Sequence, residues 1–217
     1  MNSISVIIPA RNERERIAQV IKEAQRYADE VIVIDDASID ETGWLAKELG
    51  ATVVSNKQGK GYIEAIKTGF QIAKGDIVVT MDADGEHNPK DIPQLIKTIS
   101  DDKADLVLGR RQKKVRMSER FIDWLVNLKM KIADSCTGFR AIKRNLALKL
   151  NLKGQCTCGI LVFEANYNGA RVVKIPIETL PTNKPREIAW HHINQIFYIL
   201  GWLLKRKPRQ FTSSKSQ

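Results

Sequence analysis

The chain has 217 residues, of which 43% are hydrophobic and 28% charged. This is enough to bury one sizeable core, and it excludes a fibrous, low-complexity or wholly disordered protein. We expect one domain with a short disordered tail at 212–217. Thirty-five Lys and Arg against 25 Asp and Glu give a formal net charge of +10, which favours a polyanionic partner: nucleic acid, anionic lipid or a phosphorylated substrate.

The first half of the chain alternates short β-branched runs with amphipathic helical segments. Buried strands are predicted at 4–8, 31–34, 52–55, 77–81 and 105–108, with helices between them. The first apolar run lacks a basic leader, so it predicts a strand and not a signal peptide, and hence a cytoplasmic protein. Asn12, Ser38 and Asn88 predict helix N-caps. The alternation predicts an α/β fold with a mostly parallel sheet flanked by helices, where ligands bind beyond the carboxyl ends of the strands.

Charged or polar residues follow nearly every predicted strand. They occupy 9–13, 35–38, 56–60, 82–86 and 109–111. Asp82 and Asp84 come directly after a buried run, and two carboxylates so close repel each other unless a cation or proton intervenes. Oxygen ligands select a hard ion such as Mg²⁺ or Mn²⁺, and Glu86 could complete the first shell. The alternative is a turn rich in Asp and Gly.

The loops after the second and third strands carry groups suited to a nucleotide. A carboxylate at Asp36 can accept hydrogen bonds from a ribose or a base, although helix capping is the alternative. Lys57 and Lys60, with two glycines at a helix start, favour a phosphate. The sequence has neither the full P-loop pattern nor a Gly-x-Gly-x-x-Gly after the first strand, so a dinucleotide oxidoreductase is disfavoured.

Beyond residue 112 the alternation is lost. An amphipathic helix at 115–132 leads to a loop at 134–140. We expect this half of the chain to form the side of the binding site that receives an acceptor substrate. The three cysteines, Cys136, Cys156 and Cys158, show no Cys/His spacing typical of a zinc site. They therefore predict a reduced chain in the cytosol.

Two basic runs, at 110–120 and 205–209, border segments rich in aromatic and aliphatic residues. This arrangement is more typical of a membrane surface than of a nucleic-acid groove, although solvated basic faces are the alternative. The apolar segment at 190–204 is shorter than the roughly 20 residues needed to span a bilayer. It predicts an amphipathic helix lying in the membrane plane, or otherwise one that packs on the core or forms a dimer.

Five segments, taken in order, resemble the successive motifs of family-two glycosyltransferases with the GT-A fold. They are Ser5-Val-Ile-Ile-Pro-Ala-Arg-Asn-Glu13, Val33-Ile-Asp-Asp-Ala-Ser-Ile-Asp-Glu-Thr42, Gly59-Lys-Gly61, Asp82-Ala-Asp-Gly-Glu-His-Asn-Pro89 and Leu108-Gly-Arg-Arg111. The loop at 134–140, Glu164 and the segment 173–176 extend the likeness to about residue 180. It is nearest to the branch of dolichyl-phosphate mannose synthases and polyprenyl-phosphate glycosyltransferases.

The resemblance implies a GT-A domain at 1–180, with a donor half at 1–112 and an acceptor half at 113–180, and then a basic amphipathic segment at 181–211. The residues predicted to bind the donor are Pro9, Arg11, Glu13, Asp36, Lys60, Asp82, Ala83 and Asp84. The predicted metal ligands are Asp82, Asp84 and Glu86. Arg111, Arg140, Lys184 and Arg186 are predicted to contact the acceptor or a phosphate, and Asp82, Asp84, Asp134 and Arg111 to be catalytic. Arg11 and the loop at 183–186 depart from the residues common in relatives.

These features predict a metal-dependent, inverting transfer of a sugar from a UDP- or GDP-sugar to a polyprenyl phosphate. The enzyme would work peripherally on the cytoplasmic face of the membrane, without nucleic acid. A soluble glycan or protein acceptor is the alternative, in which case Asp134 or Glu164 becomes a candidate base. A non-enzymatic basic module that binds membranes is a further alternative.

Overall fold

The computed structural model describes residues 2–111, 117–130, 134–181 and 190–205. The strands are β1 (Ile4–Ala10), β2 (Glu30–Asp35), β3 (Thr52–Ser55), β4 (Ile77–Thr80), β5 (Leu106–Arg111), β6 (Arg140–Lys143) and β7 (Val172–Ile177). The helices are α1 (Arg14–Ala24), α2 (Thr42–Glu48), α3 (Tyr62–Ile72), α4 (Ile92–Ser100), α5 (Met117–Met130), α6 (Arg144–Ala147), α7 (Ile160–Tyr167) and α8 (Trp190–Lys205). The predicted tail at 212–217 lies outside these ranges.

The strands form one sheet in the order β3-β2-β1-β4-β6-β5-β7. All neighbouring pairs are parallel except those of β6, which runs antiparallel to both β4 and β5. The predicted α/β class with a mostly parallel sheet is therefore confirmed. The strands β6 and β7 were not predicted as strands from the sequence.

Helices cover both faces of the sheet because the central strands are apolar on both sides. In β1, Ile7 packs into one core cluster with α3, α5 and α7, while Val6 and Ile8 pack into the other with α1 and α4. All three side chains are fully buried. Successive side chains of a strand point to opposite faces, so an uninterrupted β-branched run fixes a strand between two layers. The carboxyl ends of β1, β2, β3 and β4 consequently meet at one edge.

Two of the three predicted N-caps are wrong. Helices α1 and α2 begin at Arg14 and Thr42, beyond Asn12 and Ser38, and neither has a side-chain cap. Instead the two loops bind each other: Asn12 accepts a hydrogen bond from Ile39 N–H at 2.9 Å, and Ser38 Oγ accepts one from Asn12 N–H at 3.0 Å. Such short polar side chains bond to nearby backbone groups in loops as readily as at helix starts. The third predicted cap, Asn88, is confirmed, because its side chain accepts from Lys90 N–H.

Helix α8 packs on the core through one side and leaves the other exposed. Ile199 and Gln195 are fully buried, and the Trp202 ring stacks on Phe163 with 5.0 Å between centroids. The exposed large apolar side chains of this helix are Ile193, Phe197, Tyr198, Leu200 and Leu204. Among the described residues, no helix has both the length and the apolar character needed to cross a bilayer.

Candidate active site

A cleft of about 940 Å³ opens at the carboxyl ends of β1, β2 and β4. The eight residues predicted to bind a donor all line it: Pro9, Arg11, Glu13, Asp36, Lys60, Asp82, Ala83 and Asp84. They come together because each follows or ends a parallel strand, or lies in a loop bonded to one. The fold therefore gathers these residues around one space, and their contact with a donor stays a prediction.

Asp36 holds one wall of this cleft in place. Its two carboxylate oxygens accept hydrogen bonds from the backbone N–H groups of Lys60, at 2.7 Å, and Gly61, at 2.9 Å. Gly61 has φ +84°, a conformation that a side chain would strain. The carboxylate thus fixes the loop that carries Lys60 over the cleft.

The loop after β4 concentrates negative charge. The Asp82 side chain is about one-third exposed (34%), and Asp84 accepts a hydrogen bond from the backbone N–H of Glu86 at 3.0 Å. Burial raises the pKa of the Asp82 carboxyl and Glu86 raises it further, whereas Arg140 and Arg111 act in the opposite direction. The oxygen donors of Asp82, Asp84 and Glu86 are of the type that suits Mg²⁺ or Mn²⁺, and a cation would relieve their repulsion. In the described part of the chain, their oxygens are not all within 4.8 Å of one another, so they would have to move closer to share one ion.

His87 orients this acidic loop, a role that the sequence analysis missed. Its Nδ1 accepts a hydrogen bond from the backbone N–H of Asp82 at 3.0 Å, and its ring stacks on Phe139 with centroids 5.1 Å apart. Burial lowers the pKa of His87 to about 4, so the ring is neutral at neutral pH and Nδ1 can act as an acceptor. The only sequence feature that could have indicated this role is the position of His87 inside the Asp82–Pro89 motif.

Arg140 was predicted to contact an acceptor phosphate, but its side chain is 1% exposed and does not line the cleft. It donates to Thr157 Oγ1 at 2.7 Å, and its Nε and the second terminal nitrogen have no hydrogen-bond partner within the described ranges. The guanidinium instead acts electrostatically on Asp82. Gly138 lies between the two segments, where a Cβ would overlap the Asp82 carboxylate, so the loop at 134–140 backs directly onto the acidic loop.

Arg111 and Asp134 bind each other rather than facing the cleft. Arg111 donates to Asp134 from its backbone N–H at 2.7 Å and from its guanidinium at 2.9 Å, and to Glu119 at 3.0 Å. Asp134 is fully buried and its own N–H is bonded to Asp123. A buried charge needs a partner, and here each of the two residues supplies the other; that Arg111 meets a phosphate and that Asp134 is a base remain predictions. Lys184 and Arg186 lie outside the described residues.

The family model for Glycosyl transferase family 2 matches residues 5–159. The chain belongs to glycosyl transferase family 2. The family resemblance predicted from the sequence motifs is thereby confirmed, and with it the assignment of the chain as a glycosyltransferase.

Two curated relatives of this glycosyltransferase have names that contain a dolichyl phosphate or a polyprenol. The UDP-N-acetylglucosamine–dolichyl-phosphate N-acetylglucosaminyltransferase of Methanococcus voltae is 30% identical, over 82% of this chain and 86% of the relative. The polyprenol monophosphomannose synthase of Mycolicibacterium smegmatis is 31% identical, over 79% of this chain and 75% of the relative.

Solved structures share the fold. Glucosyl-3-phosphoglycerate synthase of Mycobacterium tuberculosis with phosphoglyceric acid has a TM-score of 0.77 at 24% identity, covering 92% of this chain and 79% of that one. The same enzyme with Mn²⁺, UDP-glucose and phosphoglyceric acid has a TM-score of 0.71 at 24% identity, covering 85% and 73%. This likeness confirms the predicted GT-A architecture.

A second cavity of the glycosyltransferase, of about 420 Å³, adjoins the cleft along α8. Asn151, Lys153 and Tyr198 line both cavities. The remaining residues of this α8 groove are Ile160, Glu164, Phe197, Gly201, Trp202 and Lys205. Glu164, the alternative base, is 2% exposed and accepts a hydrogen bond from Trp202 Nε1 at 2.6 Å. The groove is thus mainly apolar and was not predicted from the sequence.

Proposed function

We propose that this glycosyltransferase transfers a sugar from a nucleotide-sugar to a polyprenyl phosphate, with inversion at the anomeric carbon. The observation that carries the proposal is the apolar α8 groove, which opens from the cleft that gathers the predicted donor residues. A prenyl chain needs such an apolar path next to the reacting centre. The donor half at 1–112 and the acceptor half at 113–180 remain part of this proposal.

In the donor half, Pro9, Arg11, Glu13 and Asp36 would surround the nucleoside, and the loop of Lys60 would lie beside the diphosphate. Asp82, Asp84 and Glu86 would hold Mg²⁺ or Mn²⁺, because their oxygens suit a hard ion. The bound ion would neutralise charge that develops on the departing nucleoside diphosphate. Lys60 would add positive charge at the same place, which favours departure of the leaving group.

In the acceptor half, the lipid phosphate would lie where the groove meets the cleft, near Lys153. A phosphate oxygen is already anionic at neutral pH, so it can attack without a general base. This agrees with the burial of Asp134 and Glu164, whose carboxylates hold neighbouring groups. The names of the two relatives contain dolichyl phosphate and polyprenol monophosphomannose, which supports a polyprenyl phosphate as the acceptor.

The main experiment measures transfer and hydrolysis across a panel of UDP- and GDP-sugars, with Mn²⁺, Mg²⁺ or chelator, and with or without a polyprenyl phosphate. Metal-dependent transfer to the lipid is the expected result and would identify the donor. Metal-dependent hydrolysis that the lipid leaves unchanged would favour the alternative of a soluble glycan or protein acceptor.

Filling the α8 groove should separate lipid use from donor use. Gly201 lies on a helix, and a Cβ there meets nothing within 4 Å. Gly201→Phe should therefore fold, and it should lower kcat/KM for polyprenyl phosphate by at least about tenfold, which is about 1.4 kcal/mol of lost binding. Donor hydrolysis and nucleotide affinity should stay unchanged. Gly201→Ala is the control, and equal lipid activity of the two variants would exclude this groove as the lipid path.

We further propose that the protein lies peripherally on the cytoplasmic face of the membrane. Helices α5 and α8 contact each other through Ser118 and His192, and both leave large apolar side chains exposed. Trp124 is 53% exposed on α5, and Leu204 is 88% exposed on α8. Exposed apolar side chains together with basic residues are typical of helices that lie in the membrane interface.

Replacing both Trp124 and Leu204 by Ser should lower the partition coefficient of the protein onto anionic phospholipid vesicles by about tenfold or more, as measured by sedimentation. Each apolar side chain that is buried in the membrane contributes about 1.5–3 kcal/mol to binding. Trp44→Ser is the matched control, because this aromatic residue is 61% exposed but lies on α2, in the donor half. If the control weakens vesicle binding as much as the double variant, the proposed membrane surface is wrong.

A further inference from the structure

The fold brings together a histidine and cysteines that the proposed sugar transfer does not use. The Sγ atoms of Cys156 and Cys158 and a ring nitrogen of His192 all lie within 4.8 Å of one another. The Cys136 thiol is near enough to interact with Cys158 and Cys156, but it lies outside the group of three ligand atoms that are all within 4.8 Å of one another. The three cysteines of the chain thus lie near one another, although the sequence spacing gave no zinc motif. A separation of 34 residues between Cys158 and His192 hides such a site from any search for short motifs.

The closest pair already has the spacing of two ligands on one ion. Cys158 Sγ and His192 Nε2 are 3.7 Å apart. Tetrahedral zinc, with bonds of about 2.3 Å to sulfur and about 2.0 Å to nitrogen, separates two such ligand atoms by roughly 3.6 Å. Cys158 and His192 are both buried, with 7% exposure each. Cys136 and Cys156 are partly exposed, so the site is buried on the side of Cys158 and His192 and open to an entering ion on the other.

His192 also has the support that a metal-binding histidine requires. Its second ring nitrogen, Nδ1, is 2.8 Å from Ser118 Oγ on helix α5. Histidine ligands usually donate this second N–H to a neighbouring acceptor, which fixes the tautomer and the ring orientation. With the proton on Nδ1, the lone pair of Nε2 is directed at the cysteines.

Zinc binds cysteine as the thiolate, so the cysteine thiols would release their protons to solvent as the ion binds.

We propose that Cys156, Cys158 and His192 bind a structural Zn²⁺, and that the neighbouring Cys136 thiol moves in as the fourth ligand of a tetrahedral site. Thiolate and imidazole ligands select Zn²⁺ over Mg²⁺ and Mn²⁺, so this site is chemically distinct from the carboxylates after β4. The ion would join three segments: the loop at 134–140, the loop before α7 and helix α8. It would fix α8 against the domain and so hold one wall of the α8 groove.

The test begins with the zinc content of the full chain, purified under reducing conditions with Zn²⁺ present and measured by elemental mass spectrometry. We expect one zinc per chain, and loss of that zinc in Cys158→Ser and in His192→Asn. Ser118→Ala should keep the ligands but lower zinc affinity about 10- to 100-fold. Thr157→Ser is the matched control, because it lies between two ligands in the same loop and should retain a full zinc complement.

A second measurement on the unsubstituted chain does not depend on how the variants fold. Replacing zinc by Co²⁺ should produce the absorption of tetrahedral cobalt bound to thiolates. Failure to bind zinc, the absence of that absorption, or a disulfide among the three cysteines in reduced protein would each overturn the proposal. So would zinc retained stoichiometrically in both ligand variants. These readouts do not involve sugar transfer, so they stand whether or not the proposed acceptor is correct.

Discussion

If Asp82 binds the metal as proposed, Asp82→Asn is expected to lower the rate of sugar transfer by about 10³-fold, because the proposed metal site would lose one ligand and one negative charge. Asp82 lies directly after β4, beside Asp84 and close enough to Glu86 for the two carboxylates to repel each other. Asparagine at position 82 is uncharged, so the repulsion with Glu86 is lost and a cation is bound less tightly. Affinity for Mn²⁺, measured by calorimetry with the nucleoside diphosphate present, should decrease in parallel with the rate.

The same strand offers a matched control at its other end. Asp76 precedes β4, is exposed, and accepts hydrogen bonds from Ser3. Asp76→Asn removes one carboxylate next to the start of β4 without altering the cleft. The transfer rate and the metal affinity of this variant should therefore match those of the unsubstituted enzyme. If the Asp82 variant keeps metal-dependent transfer close to the control rate, the metal site is not at this loop.

Arg111→Met is expected to lower the free energy of unfolding by about 3–5 kcal/mol, the usual cost of removing one partner from a buried ion pair. The substitution would leave Asp134 and Glu119 buried without the guanidinium that they share. Asp134→Asn should be destabilising for the complementary reason. Combining Arg111→Met with Asp134→Asn should restore part of the stability lost in Arg111→Met, because Asn carries no charge, keeps a side-chain oxygen for the backbone N–H of residue 111 and tolerates the positive φ of position 134.

Urea unfolding of these variants, followed by circular dichroism, supplies the measurement. Arg110→Met is the control, because Arg110 is the preceding residue of β5 and its side chain is exposed. Its effect should be within about 0.5 kcal/mol. The opposite outcome is also informative. If Arg111→Met is as stable as the unsubstituted protein but no longer uses a phosphate-bearing acceptor, then Arg111 contacts a phosphate, as the sequence predicts.

The fold of residues 1–112 could be predicted from sequence because its signals are local. The runs Ile4–Ala10 and Ile77–Thr80 are rich in β-branched residues and flanked by helical patterns. The positions of the strands, and of the loops that follow them at the sheet edge, can therefore be predicted. β6 has no such signal: its four residues, Arg140–Lys143, begin and end with a charge. Its place between β4 and β5 is decided by tertiary pairing, which the local pattern does not report.

Some residues of the candidate site could likewise be predicted from local sequence, and others could not. Asp36 and Asp82 were identified because each ends or follows a strand, and both line the cleft. Arg111 also ends a strand, yet its charge is neutralised from α5 and from the loop at 134–140, far along the chain. Tyr198 lines the cleft from α8, and its sequence neighbourhood indicates only an apolar helix. Sequence position predicts which side chains reach an edge, but it does not reveal their partners.

The reversed strand β6 has a consequence for how acceptor use can change in evolution. Thr80, at the end of β4, pairs with Arg140, at the start of β6, so the acidic loop leaves the sheet where the loop at 134–140 enters it. Adjacent strands are about 4.8 Å apart, which makes the two loops neighbours without any dedicated linker. Under the proposed function, insertions or substitutions in the loop at 134–140 would therefore alter the approach of the acceptor, while the parallel strands that carry the predicted donor residues stay unchanged. One antiparallel strand would then let selection act on the two substrates separately.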